Sequence, residues 1–260
     1  MNYEHIAAGN FLSRPNRFIA QVKIGETVQT CHVKNTGRCR ELLVPGARLV
    51  LEYHPNAAAA GRKTSYDVIG VYKEKAGTGG ETLLINMDSQ APNLAAWEWV
   101  SSGKFAAAHI PEHLALSDLR REVTYENSRF DLAFCLNQKI TDGIVPLSGT
   151  KQAFMEVKGV TLEADGAAAF PDAPTLRGVK HLEELAKASQ KGLSCFLLFV
   201  IQMKGVASFS PNMETQPEFG YALARAKAAG VRILAYDCLV TENSMVIDQP
   251  VPVLLPPFPA

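Results

Sequence analysis

Between residues 16 and 86, apolar and polar residues alternate in five short runs: 17–24, 27–33, 49–53, 66–73 and 83–86. A period of two marks half-buried strands. Turn formers separate the runs, at Gly25-Glu26, Asn35-Thr36-Gly37, Pro45-Gly46, the alanine-rich stretch 54–61, and 77–80. Five short strands so joined predict a small barrel or meander. The same alternation places Phe18 in the barrel core.

After Asp88 the pattern changes. Residues 92–100 read as a helix carrying Trp97 and Trp99, and a looser segment, 101–117, leads to strands at 119–125, 129–136 and 153–162. A helix follows, capped by Asp172 or Thr175, with Leu176, Val179, Leu182, Leu185 and Ala186 on one face and Gly192 ending it. Residues 193–203 are almost continuously apolar, which signals a strand buried on both faces. A helix at 219–229 and a strand at 231–236 complete a mixed sheet flanked by helices, and the proline-rich tail, 250–260, is extended. No internal repeat is evident. The expected division is a small β-barrel domain at 1–86 and an α/β domain at 87–260.

Composition bounds the function. The chain has 260 residues, 47% hydrophobic and 20% charged, which suits a folded globular protein. Lys and Arg total 26 against 26 Asp and Glu, so no overall field draws in a polyanion. The two parts differ, however: residues 1–86 hold 11 basic against 7 acidic side chains, and residues 12–48 hold seven against two. The neutral total hides a basic small domain. Five scattered cysteines without a C-x-x-C pair read as reduced and mostly buried. No secretory signal is visible and no apolar run approaches the roughly 20 residues a bilayer requires. A cytoplasmic protein without membrane contact is the expectation.

The candidate chemistry lies in the second block. Glu156 and Lys158 sit two apart on one strand, so their side chains project from one face about 7 Å apart. Asp131 stands on the preceding strand, where hairpin pairing brings its carboxylate beside Glu156. Two carboxylates and a lysine in an apolar strand environment repel and lose hydration unless something neutralises them. A divalent cation, Mg²⁺ or Mn²⁺, held by Asp131 and Glu156 resolves that conflict, with Lys158 positioning or deprotonating a water and Glu122 available as a third carboxylate. The plain alternative is a Glu156–Lys158–Asp131 salt bridge on a solvated sheet face. On the following helix Arg177, Lys180, His181 and Glu184 share a face, either for phosphate contacts or as a solvated surface with a Lys180–Glu184 pair. In the barrel Arg14, Arg17, Lys34, Arg38 and Arg40 are candidate phosphate contacts, and Phe18, if exposed, would be a stacking surface. His109-Ile110-Pro111-Glu112-His113 matches a zinc-hydrolase pattern in letters only, because Pro111 keeps both histidines off one helix; it reads as a helix start in a loop.

Asp131 and Glu156-Val157-Lys158, on consecutive strands before a helix and a buried strand, resemble the core of PD-(D/E)XK nucleases. Phe130 stands where the motif's name has proline. Further segments resemble the sugar fermentation stimulation protein A family: Arg14-Pro15-Asn16-Arg17-Phe18, His32-Val33-Lys34-Asn35-Thr36-Gly37-Arg38, Ser128-Arg129-Phe130-Asp131, Ala169-Phe170-Pro171-Asp172-Ala173 and Thr175-Leu176-Arg177-Gly178-Val179-Lys180-His181. The resemblance spans nearly the whole chain. It implies an OB-like N-terminal barrel, a restriction-endonuclease-like C-terminal domain, and a DNA-binding protein, with RNA an alternative substrate, that hydrolyses phosphodiesters with Mg²⁺ or Mn²⁺ and is linked to the regulation of sugar metabolism. The rival readings are a non-catalytic DNA-binding regulator that retains a nuclease fold, and a sugar- or nucleotide-binding module. A homodimer would suit cleavage of both strands, although no segment identifies an interface.

Overall fold

Six strands build the N-terminal part: β1 (Ile6–Asn16), β2 (Ile19–Ile24), β3 (Thr27–Val33), β4 (Arg48–Tyr53), β5 (Tyr66–Glu74) and β6 (Thr82–Asn86). The computed structural model describes residues 1–35, 37–75, 80–140, 143–145 and 151–257. Strands β3-β2-β1-β4-β5 are neighbours in that order, and β3 returns to pair in parallel with β5 at His32–Asp67 and Val33–Val68. This closes a five-stranded OB-like barrel, with β6 hydrogen-bonded to β5 beyond the closure. Ala20, Val22, Cys31, Leu49, Leu51 and Val68 fill it, all essentially inaccessible.

The barrel's first strand is absent from the sequence expectation. β1 contains Gly9 and Pro15, and its pairing with β2 shifts register between Phe11 and Ser13 and again before Asn16, so it has no clean alternation. The chain then reverses at Arg17-Phe18, and Phe18 is 44% exposed rather than in the core. Alternation does not run through a turn. Gly25 (φ +55°) makes the two-residue β2–β3 hairpin possible. Thr36 and residues 77–79 of the other expected turns lie outside the described residues, as do 258–260 of the tail.

The C-terminal part begins with α1 (Ala91–Ser101) and α2 (Lys104–His109), followed by β7 (Leu114–Tyr125), β8 (Ser128–Ile140), β9 (Gly143–Val145) and β10 (Lys151–Val160). Next come β11 (Leu162–Ala164), β12 (Ala167–Phe170), α3 (Leu176–Gln190), β13 (Ser194–Ile201) and β14 (Ser208–Pro211), then α4 (Pro217–Ala228), β15 (Arg232–Thr241) and β16 (Ser244–Pro250). The main sheet runs β16-β15-β13-β10-β8-β7. Its centre, β10-β13-β15, is parallel and its flanks are antiparallel. β13 is buried from Cys195 onward: Leu197, Phe199 and Ile201 join the cluster under α3 and α4, while Phe196, Leu198 and Val200 face α1 and α2. A strand so covered has no polar face, which is why its sequence reads as one apolar run.

Four expectations are corrected. The segment 101–117 contains α2, and this helix ends at His109, before Pro111, instead of a helix starting there. The 153–162 strand stops at Val160, and β11 turns into a separate sheet, β11-β12-β14. The last strand extends to Thr241 and hairpins into β16. Leu176 is 85% exposed, because the first turn of α3 precedes its contact with the sheet, which Leu182 and Leu185 make. Thr175, not Asp172, caps that helix, accepting the Gly178 N–H at 3.0 Å. The cysteines follow expectation: none is disulfide-bonded, and all but Cys135 are buried. Among the described residues no helix is long and apolar enough to cross a membrane.

The two parts lock together through buried polar groups. Lys34 of the barrel pairs with Asp88 at 2.6 Å, and Gln202 Nε2 donates to the Asn86 and Asp88 carbonyls at 3.0 Å each. The first residues cross over: Asn2 bridges Ser244, and the terminal ammonium meets Glu98 at 2.6 Å. Gly159 is packed into this joint, since a Cβ there would lie 2.5 Å from Gln202 Oε1 and 2.6 Å from Pro92. Neither neighbour can yield, one being held by three hydrogen bonds and the other by its helix. Gly159→Ala is expected to destabilise the fold by about 1–3 kcal/mol, read as a lower urea midpoint with an unchanged m-value.

Candidate active site

The pairing of β8 with β10 is regular from Lys151–Leu136 to Met155–Leu132, then stops. One residue further, where Glu156 would face Asp131, Asp131 Oδ2 replaces the backbone acceptor and takes the Val157 N–H at 2.8 Å. Its other oxygen accepts from Asn93 of α1 at 2.8 Å. The two strands part, and the side chains that would have covered a continuous ladder open into a small cleft of about 150 Å³. Glu122, Arg129, Asp131, Glu156, Lys158 and Arg177 line it, with His181 behind. The pairs Arg121–Leu132 and Val123–Phe130 on either side place Glu122 across from Asp131.

Glu156 is 2% exposed, lying beneath α3. Its Oε1 accepts from Lys158 Nζ at 2.5 Å and is bonded to His181 Nδ1. Arg177 Nε donates to His181 Nε2 at 3.4 Å, which leaves Nδ1 of that ring to donate to Glu156. Burial alone would raise the Glu156 pKa, but the hydrogen bond from His181 and the charge of Lys158 outweigh it and hold the carboxyl below its ordinary value. Oε2 of Glu156 is buried with no partner among the described residues. An unmade bond on a buried carboxylate costs about 1–3 kcal/mol or more. Glu156 is nevertheless one of the residues that line the cleft.

Asp131 shows the opposite shift. Burial and then the repulsion of Glu156 push it up to about 6, despite the Val157, Lys158 and Asn93 contacts. A cation in the shared cleft would bring the Asp131 pKa back down. The Glu156–Lys158 salt bridge considered from sequence does form, but it lies beneath α3 and not on a solvated face, and Asp131 bonds to Val157 N–H and Asn93 instead.

The other candidates fall into three groups. Glu122 is mostly exposed, at positive φ, and 3.6 Å from Arg129; it lines this cleft and a larger one of about 720 Å³ between the two parts. Arg17, Arg38 and Arg40 are exposed on one side of the barrel, Arg17 lying 4.9 Å over the Phe18 ring. Arg14 and Lys34 are committed to the fold: the Arg14 guanidinium donates to the carbonyls of Arg38, Arg17 and Asn35 at 2.6, 2.7 and 2.9 Å, and Lys34 holds Asp88. On α3, Arg177 points into the cleft while Lys180 reaches Asn127 O at 3.3 Å and Glu184 at 3.8 Å. Sequence reasoning set His181 on a face for phosphate contacts and not against Glu156, and it left Asn93 out. The i, i+4 spacing of Arg177 and His181 was the available signal for the first; Asn93 carried none. His109, by contrast, is part of an aromatic cluster, its Nε2 2.8 Å from Tyr236 Oη, and burial lowers its pKa.

Comparison with known proteins supplies the family context. The sugar fermentation stimulation protein RE domain matches residues 90–244, and the SfsA N-terminal OB domain matches residues 12–80. The chain is 48% identical over 245 residues to the sugar fermentation stimulation protein homolog of Desulfitobacterium hafniense (strain Y51), covering 94% of each. It is 45% identical over 255 residues to the homolog of Clostridium beijerinckii, covering 98% of this chain and all of the other. The solved structure of Pyrococcus furiosus SfsA in complex with Ca²⁺ has the same fold, with a TM-score of 0.76, 24% identity and 98% of each chain covered.

With no metal bound, folding favours the protonated form of Asp131. The resulting penalty is absent below about pH 4, grows between 4 and 6 and is complete above, at most about 3 kcal/mol. In chelator at pH 7.5, Asp131→Asn is therefore expected to be more stable than wild type, with the difference vanishing near pH 4. Urea denaturation at the two pH values measures it.

Proposed function

This chain belongs to the sugar fermentation stimulation protein family, and we propose that it is a nucleic-acid-binding protein whose C-terminal domain hydrolyses phosphodiesters with Mg²⁺ or Mn²⁺. The observation that carries the reading is the unpartnered, buried Oε2 of Glu156 at the point where β8 and β10 separate. Asp131 and Glu156 would hold the ion, with Glu122 a further carboxylate lining the cleft. Their oxygen-only donor set suits hard dications. The Pyrococcus furiosus relative was solved with Ca²⁺, a cation of that class, which supports the choice. When bound, the ion would offset negative charge on the phosphate and lower the pKa of a water.

The remaining work falls to side chains. Lys158, 16% exposed at the cleft floor, is placed to balance the charge that builds on the phosphoryl oxygens as water adds to phosphorus and the ester P–O bond breaks. His181, itself bonded by Arg177, helps keep Glu156 ionised and oriented. Arg177 also presents its guanidinium to the cleft, where a phosphate would enter. Arg17, Arg38 and Arg40 supply salt-sensitive contacts to the strand on the barrel side, and exposed Phe18, backed by Arg17, offers a base a stacking face.

Incubation of single- and double-stranded DNA and RNA with the purified chain in Mn²⁺, Mg²⁺ or chelator tests this. Cleavage in the metals and none in chelator is expected, with Lys158→Ala and Asp131→Asn each slower by at least about a hundredfold while binding persists. Binding without any cleavage by wild type would instead identify a regulator on a nuclease fold. On the barrel, Arg38→Ala should weaken binding of all sequences alike and reduce the slope of log K against log salt by about 1; a salt titration by fluorescence anisotropy reads it.

A further inference from the structure

A second cluster of metal-ligating groups lies on the barrel, separate from the nuclease-like cleft. Asp67 is the second residue of β5, and the sheet register sets Glu52 of β4 beside it on one side and His32 of β3 on the other. His54 follows β4 two residues after Glu52. Its Nε2 is 3.0 Å from Asp67 Oδ2 and 3.8 Å from Glu52 Oε2, and the three donor atoms lie within 4.8 Å of one another. Three ligands at about 2.0–2.2 Å around a tetrahedral Zn²⁺ are about 3.3 Å apart, so small adjustments bring these atoms to bonding positions.

The surroundings divide the Asp67 carboxylate in two. Oδ1 is taken by Arg62 at 2.5 Å and approached by His32 at 3.3 Å, while Oδ2 faces His54. Hydrogen bonds that hold one oxygen of a ligating carboxylate orient the other toward the ion. Asp67 is 3% exposed, and each of its neighbours is seated on or next to a barrel strand at the β3–β5 closure. Glu52 also lines the larger cleft between the two parts, which gives an ion a path from solvent.

We infer that Glu52, His54 and Asp67 form a Zn²⁺ site that fastens the closure of the barrel. One imidazole and two carboxylates favour a borderline d-block ion over Mg²⁺ or Ca²⁺, which take oxygen ligands alone. This site does not rest on the nuclease reading.

The test uses the full chain carrying Asp131→Asn and Glu156→Gln, which silences the other site, titrated with Zn²⁺ and separately with Co²⁺. One Zn²⁺ per chain, a raised Tm and the visible absorption of tetrahedral Co²⁺ are expected. Adding His54→Ala or Glu52→Gln should weaken binding by about 10–100-fold and remove the Co²⁺ bands, with circular dichroism confirming the fold. No Zn²⁺ uptake in the silenced chain, or uptake unaffected in a folded His54→Ala or Glu52→Gln chain, overturns the site and leaves a metal-free hydrogen-bonded cluster.

Discussion

Glu156 carries its charge beneath a helix, out of reach of water, and the chemistry of the C-terminal domain follows from how that charge is met. Two donors, His181 and Lys158, converge on one carboxylate oxygen and leave the other without a partner. A fully satisfied buried network rigidifies a core; a partly satisfied one is poised for a missing component. The second carboxylate at the cleft, Asp131, is repelled by the first, which is why the proposed function sets a cation there. Removing Lys158 or His181 would leave Glu156 facing desolvation with less help, so both positions are tied to its ionisation as much as to any substrate.

The fold supplies the opening that this arrangement needs. A continuous β8–β10 ladder would place Glu156 opposite Asp131 at normal cross-strand distance and bury both. Instead the carboxylate of Asp131 substitutes for a main-chain acceptor on the Val157 N–H, so the strands separate without leaving an amide unpaired. Asn93 of α1 steadies the same carboxylate from the other face of the sheet, and Gly159 lets α1 and Gln202 close in behind Lys158. The site is therefore a property of three layers: α1, the sheet and α3.

What was legible in the sequence was whatever rests on local period. The apolar run of β13, the amphipathic α3 and the alternating barrel strands all declare themselves, and the E-x-K spacing places Glu156 and Lys158 on one face. The losses have the opposite character. β1 is bulged and carries Gly9 and Pro15, Phe18 sits on a turn that breaks the alternation it was read from, and β14 pairs with β12, a partner distant in sequence. Asn93 meets Asp131 only through the packing of α1 on the sheet, and Glu52 meets Asp67 only through register between strands, neither of which a window along the chain can show. The basic residues illustrate a further limit: composition counts Arg14 and Lys34 with the other cations, yet three backbone carbonyls and a buried Asp88 use them internally.

That internal use shapes how the two parts act together. Arg14 binds the carbonyls of Asn35 and Arg38 and so fixes the ends of the loop that presents Arg38 and Arg40. The same loop touches the C-terminal part closely: a Cβ on Gly37 would fall 2.5 Å from Asp172 Oδ2. From Asp172 the chain runs directly through the Thr175 cap into α3, whose first two turns carry Arg177 and His181. The exposed arginines of the barrel and the groups that orient Glu156 are thus joined by a short path of fixed backbone, with Lys34 and Asp88 clamping the joint nearby. A polyanion held by Arg38 would be held against an element that also positions the cleft. Under the proposed function the small basic domain would continue the site, with a charge that is invisible in a chain whose total is zero.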